Sequence, residues 1–98
     1  MGRQYRVAIV GATGVVGGTV RSILEERAFP VGDLRLLASA RSAGRRLTFA
    51  GVEHEVQELG ADSFADVDVA FFAAGGAISR EFARPATAAG ATVFDKSS

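Results

Sequence analysis

A short apolar strand that runs directly into a glycine-rich turn is the feature that most constrains this chain. Residues Val7 to Val10 are all apolar, and three of the four are β-branched. Such a run is typical of a strand that is buried on both faces of a parallel sheet. Glycines follow at Gly11, Gly14 and Gly17, and helical periodicity begins within the same stretch. The order of strand, turn and helix predicts an α/β fold whose turn faces a bound ligand.

The glycine turn favours a dinucleotide as that ligand. A loop with few side chains lets a pyrophosphate approach the backbone, and the N–H groups and dipole of the following helix favour its negative charge. The spacing is G-x-x-G-x-x-G rather than G-x-G-x-x-G, which brings Thr13 to the start of the helix. We therefore take Gly11, Thr13 and Gly14 as candidate cofactor-binding residues. Gly17 is expected to permit close packing of the helix on the strand.

The remaining sequence alternates predicted strands with predicted helices. We predict strands at about 5–10, 34–38, 68–74 and 92–95, helices at about 14–27 and 79–89, and an antiparallel hairpin of 47–49 with 52–56. Asp62 is a candidate cap for a short helical turn, and Pro85 is expected near the beginning of the second helix. Strands that alternate with helices imply a parallel sheet with right-handed crossovers. The predicted fold class is thus α/β, a Rossmann-like doubly wound parallel sheet with a small antiparallel hairpin.

Composition excludes several kinds of site and partner. The chain has 98 residues, no net charge and 48% hydrophobic residues, which fits one small domain. With no cysteine, and with His54 as the single histidine, neither a metal site nor a catalytic residue is assigned. No basic run with interleaved aromatic residues suggests nucleic acid, and no apolar run is long enough to span a membrane. We expect a cytoplasmic protein that binds a small molecule, which the absence of cysteine fits.

The loop after the second predicted strand bears on the choice of dinucleotide. In NAD-binding domains an acid at this position usually bonds the 2′-hydroxyl of the ribose. This chain continues instead with Ser39, Arg41 and Ser42, and it has no acid between residues 38 and 46. A guanidinium pairs with a 2′-phosphate bidentately, and a hydroxyl donates to it. The loop therefore favours NADP, the alternative being a solvated basic loop.

The ends of the other strands are also small or polar, as a crevice requires. Ligands of an open parallel sheet collect at the carboxyl ends of its strands, where Ala74 ends the third predicted strand and Gly75 and Gly76 follow it. Two successive glycines permit close approach of a cofactor to the backbone. A plain strand-to-helix turn explains them almost equally well.

Four segments in this order resemble the amino-terminal part of the aspartate-semialdehyde dehydrogenases, and together they extend over essentially the whole chain. The segments are 11–17, 38–44, 71–81 and 93–98. The resemblance implies a homo-oligomeric oxidoreductase, expected to be a homodimer, that uses NADPH to convert aspartyl phosphate to aspartate semialdehyde for lysine, methionine and threonine biosynthesis. It also implies contacts with the cofactor. The phosphates and the nicotinamide side are expected to be contacted by Thr13, Gly14, Val15 and Val16. The 2′-phosphate is expected to be bound by Arg41 and Ser42, and the crevice to be lined by Ala74, Gly75 and Gly76.

The family's catalytic cysteine, acid–base histidine and substrate-binding arginines match nothing in this sequence. The resemblance thus implies that residues 1–98 are the amino-terminal part of an incomplete NADP-binding domain, without the catalytic and dimerisation domain, and that these residues alone are inactive. N-acetyl-glutamyl-phosphate reductases and atypical short-chain reductases have similar glycine turns and are an alternative, against which the Arg41–Ser42 loop and the segment Asp95 to Ser98 argue. A non-catalytic relative that lacks the thiol is a further alternative.

Overall fold

The computed structural model describes residues 3–95 and contains seven strands, two α-helices and one short 3-10 helix. The strands are β1 Tyr5–Val10, β2 Val31–Ala38, β3 Arg46–Phe49, β4 Val52–Glu55, β5 Gln57–Glu58, β6 Val69–Phe72 and β7 Thr92–Asp95. The helices are α1 Val15–Glu26 and α2 Gly76–Ala88, and the 3-10 helix is Ala61–Phe64. The residues Lys96 to Ser98 of the fourth resembling segment lie outside the described residues. Within 3–95, neither α1 nor α2 combines the length and apolar character needed to cross a bilayer.

The main sheet has five parallel strands in the order β5-β2-β1-β6-β7, and β3 and β4 form a separate antiparallel hairpin. The predicted Rossmann-like doubly wound fold is therefore confirmed. From β1 the chain proceeds through α1 to β2 on one side, whereas β6 lies on the other side of β1. This reversal of strand order opens a crevice at the carboxyl ends of β1 and β6, where doubly wound folds bind their ligands.

The sheet is covered on both faces, which explains the continuous apolar run of β1. Side chains alternate along a strand, so Val7 and Ile9 pack on one face with Val20 and Leu24 of α1. Ala8 and Val10 belong to the opposite core, whose other members are Leu37, Phe64, Val67, Ala70, Phe72, Ala86 and Ala91. All four side chains of 7–10 are at most 1% exposed. The glycine turn that follows is consequently carried by the most buried strand of the sheet.

The start of β6 is fixed to β1 through Asp68. The backbone N–H of Arg6 donates to Asp68 Oδ2 over 2.8 Å, and the Arg6 Nε atom lies 3.5 Å from the same oxygen. The backbone hydrogen bond, followed by the charge of the guanidinium, holds the pKa of the Asp68 carboxyl below its usual value. The carbonyl of Asp68 accepts the Thr92 N–H over 2.9 Å. Asp68 therefore links three neighbouring strands at the edge opposite the crevice.

Several predicted details are wrong. Helix α2 begins at Gly76 rather than Ser79, so Pro85 occupies its tenth position instead of lying near the beginning. Because proline has no N–H, the carbonyl of Glu81, four residues earlier, has no helical hydrogen bond from Pro85. Glu81 is exposed, so water can bind this carbonyl, and the helix ends at Ala88, three residues after Pro85. Asp62 lies inside the 3-10 helix, and Gly60 is the residue that precedes it. The short strand β5 was not predicted at all.

Candidate functional site

A cleft of about 470 Å³ opens at the carboxyl ends of β1, β2 and β6. This volume lies within the range of small-molecule sites, roughly 300–1,000 Å³. Its lining combines the glycine turn, the end of β2, the residues after β6 and one face of α2, and includes Gly11, Thr13, Gly14, Ser39, Ala74 and Phe82. The structure thus brings together the three strand ends at which the sequence placed its candidates.

Gly11 is required by the close approach of the glycine turn to the end of β6. Its φ of 82° lies in the left-handed region, and a Cβ there would lie 2.8 Å from Ala74 Cβ and 2.9 Å from the backbone of Ala73. The N–H groups of Gly11 and Ala12 both donate to the carbonyl of Leu37, over 2.8 and 3.1 Å. Strand pairing and close packing therefore fix the position of this turn before any ligand binds.

Gly14 differs from Gly11 because no contact among residues 3–95 requires the absence of its side chain. Its φ of −84° suits any residue, and a Cβ would meet only the Gly11 carbonyl oxygen, at 3.6 Å. Gly14 precedes α1 without a side-chain cap, and the first turn of α1 contains no acidic residue. The first N–H groups of a helix have no partners within it and attract anions. Open space beside uncapped N–H groups fits a bound phosphate.

Residues 39–45, which follow β2 and include Arg41 and Arg45, form a basic loop that lies beside the glycine turn. Thr13 Oγ1 donates to Ser42 Oγ over 3.4 Å, which joins the two loops directly. The N–H of Ser42 donates to the Ser39 carbonyl over 3.0 Å, and the N–H of Gly44 donates to the Val56 carbonyl over 2.7 Å. Arg41 is exposed on this loop, beyond the residues that line the cleft. The loop backbone is thus held in place, and Arg41 is exposed next to Ala40, which lines the cleft.

The remaining candidates lie around the cleft without lining it. Val15 and Val16 begin α1 and are 89% and 41% exposed. Gly75 precedes α2 and Gly76 begins it, and the φ of 108° at Gly75 is one that residues with a side chain rarely adopt. Their role in cofactor binding stays a prediction. For Gly75, the turn geometry alone is sufficient to explain glycine.

Several residues that line the cleft were not among the predicted candidates, and Glu58 is the charged one of them. It pairs with Ala38 across β5 and β2, and the N–H of the next residue, Leu59, donates to the Ala38 carbonyl over 2.8 Å. Among the described residues that line the cleft, Glu58 is the one with an ionisable side chain. The expectation about an acid at this position concerned only the residues directly after β2. Glu58 lies in a different strand, 20 residues after Ala38. In the sequence, the only indication of Glu58 was the polar pair Gln57-Glu58 after the apolar Val56.

Comparison with known proteins gives one consistent family. The model of the semialdehyde dehydrogenase NAD-binding domain matches residues 6–98. The chain is 51% identical to the aspartate-semialdehyde dehydrogenase of Legionella pneumophila over 98 residues, which is all of this chain and 28% of that protein. It is 52% identical over 91 residues to a USG-1 protein homolog of Azotobacter vinelandii, which covers 93% of this chain and 27% of that protein.

The same likeness is present at the level of structure. The chain superposes on aspartate semialdehyde dehydrogenase II of Vibrio cholerae, solved in complex with ASA, with a TM-score of 0.87 and 44% sequence identity. The match covers 95% of this chain and 30% of that one. The chain therefore spans less than a third of the length of each relative described.

Proposed function

The chain belongs to the semialdehyde dehydrogenase family, in the region of its NAD-binding domain, and we propose that it is the NADP-binding portion of an aspartate-semialdehyde dehydrogenase. The whole enzyme would reduce aspartyl phosphate to aspartate semialdehyde, with release of phosphate. The observation that carries the proposal is the Thr13–Ser42 hydrogen bond, because it places the basic loop beside the glycine turn at one cleft. A dinucleotide with an additional 2′-phosphate needs both loops.

The residues present fit such a cofactor. The open space at Gly14 and the uncapped start of α1 would receive the pyrophosphate. Ser39 and the end of β2 would lie along the ribose, with Arg41 and Ser42 at its 2′-phosphate. The Val15–Val16 pair and the turn after β6 would face the nicotinamide half. When bound, the cofactor supplies the hydride, and these residues bind and orient it.

We assign cofactor binding and not turnover to these 98 residues. A dehydrogenase that forms an aldehyde from an acyl phosphate through a thioester needs a thiol nucleophile and an acid–base partner. The chain has no cysteine, and its one histidine, His54, is half-buried beside Phe49 in the hairpin, with ring centroids 6.4 Å apart. His54 does not line the cleft. The catalytic groups of the proposed enzyme would therefore come from outside this sequence.

A second candidate is a non-catalytic relative that binds the same cofactor. Its support is the 52% identity with the USG-1 protein homolog, whose name states no activity. That identity is close to the 51% identity with the Legionella pneumophila dehydrogenase, so this region does not distinguish the two functions. Turnover of aspartate semialdehyde by the whole protein decides between them.

The cofactor proposal is tested with Arg41→Ala. Loss of a charge-assisted hydrogen bond should weaken NADPH binding by about 1.5–3 kcal/mol and leave NADH binding almost unchanged. We expect this difference in calorimetric titrations of both cofactors. Arg84→Ala is the matched control, since Arg84 is an exposed arginine of α2 that does not line the cleft. Equal losses for the two cofactors would contradict the role of Arg41, and no binding of either by the unmodified chain would contradict the cofactor site itself.

A further inference from the structure

The cleft receives a carboxylate at the position where dinucleotide-binding domains recognise ribose. In the parallel register of β5 with β2, Glu58 lies opposite Ala38, the last residue of β2. Domains that bind NAD place an acid at the end of this second strand, where it accepts a hydrogen bond from the ribose. Here the loop after β2 has no acid, but a neighbouring strand supplies one at the same edge of the sheet.

We propose that Glu58 is a specificity-determining residue that accepts a hydrogen bond from a hydroxyl of the adenosine ribose and disfavours a 2′-phosphate. This inference rests on the proposed function, since it assumes that the cleft binds a dinucleotide. A carboxylate is an acceptor only, so it pairs with the free hydroxyls of NAD. With NADP it faces additional negative charge, which is unfavourable at short range.

The two opposing charges belong to one connected unit. The segment that precedes β5 holds the basic loop through the Val56 carbonyl, which accepts the Gly44 N–H, and through the Val56 N–H, which donates to the Arg45 carbonyl, both over 2.7 Å. Glu58 follows Val56 by two residues, and Arg41 precedes Gly44 by three. Glu58 lines the cleft, and Arg41 is exposed directly after Ala40, which also lines it. We infer that the balance between them sets the preference for NADP over NAD and keeps it moderate.

The test is Glu58→Gln, which keeps the shape of the side chain and removes its charge. Because Glu58 is exposed, we expect moderate effects: a loss of NADH affinity of about 3- to 10-fold, and a gain of NADPH affinity of about 2- to 5-fold. Glu55→Gln is the matched control, an exposed glutamate of β4 that does not line the cleft. Titration of 5′-AMP and 2′,5′-ADP, which differ by the 2′-phosphate, should reproduce the opposite changes in the adenosine half alone.

Each outcome separates the inference from the function on which it rests. Opposite changes for the two cofactors, absent from Glu55→Gln, support the inference. Equal behaviour of Glu58→Gln and Glu55→Gln would overturn it, and so would parallel losses for both cofactors, which indicate a purely structural role. If the whole protein binds neither cofactor, the proposed function fails and the inference fails with it. Retained circular dichroism shows in every case that the variants are folded.

Discussion

Gly17 is the position where α1 lies closest to the glycine turn, and replacing it with alanine is expected to destabilise the fold. A Cβ at Gly17 would lie 2.1 Å from the Gly11 carbonyl oxygen and 2.9 Å from Ala12 Cα. Carbon atoms in contact prefer separations of about 3.5–4.0 Å. Both obstructing atoms belong to the backbone, so no side-chain rotation relieves the overlap. The helix itself would have to move.

The cost of that movement follows from the packing of α1. A shift of about 1 Å would open a gap beneath Val20 and Leu24, which are 7% and 6% exposed, and such a gap forfeits a quarter to a half of the dispersion energy. Overpacking against backbone on two sides places the penalty near the upper end of the usual range, about 3 kcal/mol. The better helix propensity of alanine offsets about 1 kcal/mol. We therefore expect Gly17→Ala to lower the free energy of unfolding by about 2 kcal/mol, or Tm by about 8–16 °C.

Gly18→Ala provides the control at the next position of the same helix. A Cβ at Gly18 would meet nothing within 4 Å, so only the propensity gain applies, and a stabilisation of about 0.5–1 kcal/mol is expected. Thermal and urea unfolding of the three proteins, followed by circular dichroism, measures both changes. If Gly17→Ala proved as stable as Gly18→Ala, the close packing of α1 on the turn would be refuted.

Two further predictions concern acid stability and turnover. Because contacts with Arg6 depress the pKa of Asp68 in the folded state, Asp68 stabilises the protein above its unfolded pKa of about 3.9, and this contribution is lost as pH falls through the lower folded value. The difference in urea midpoint between the unmodified chain and Asp68→Asn should therefore shrink from pH 6 to pH 2, and a constant difference would show that the charge contributes nothing. A polypeptide of these 98 residues should show no NADPH formation with aspartate semialdehyde, NADP and phosphate, because it has no thiol nucleophile. Measurable turnover in that assay would refute the assignment of the catalytic groups to residues outside this sequence.

The parts of the fold that were predictable are those with a strong local signal. The apolar run of β1 and the glycines after it specify a buried strand and a turn, and β1 has the predicted bounds Tyr5–Val10. The hairpin was predictable because Ala50-Gly51 separates two short runs, and both residues have positive φ, as a type I′ hairpin turn requires. These features depend on residues that are neighbours in sequence.

The features that were missed depend on partners distant in sequence. β5 has only two residues, Gln57 and Glu58, and forms because β2 offers an unpaired edge. The helical spacing of Val16, Val20, Ile23 and Leu24 predicts that all four are buried. Val16 and Ile23 are instead 41% and 44% exposed, and Gly17 is the residue of α1 that lies against the turn at Gly11 and Ala12. Glu58 enters the cleft through the pairing of β5 with β2, and no periodicity in its own segment reveals that.

The hydrogen bonds that hold the backbone of the basic loop affect the entropy of ligand binding. Gly44 and Arg45 are bonded to Val56, and the hairpin that connects them is joined to α1 by the Glu25 carboxylate, which accepts the Ala50 N–H over 2.6 Å. A loop that must be ordered on binding lowers affinity, at a cost of about 0.5–1.5 kcal/mol for each immobilised side chain. Here the backbone of the loop is already ordered, so an incoming anion has to restrain little more than the Arg41 side chain. Loss of the two hydrogen bonds to Val56 would therefore shift the ordering of the loop into the binding step and lower the affinity for the anion.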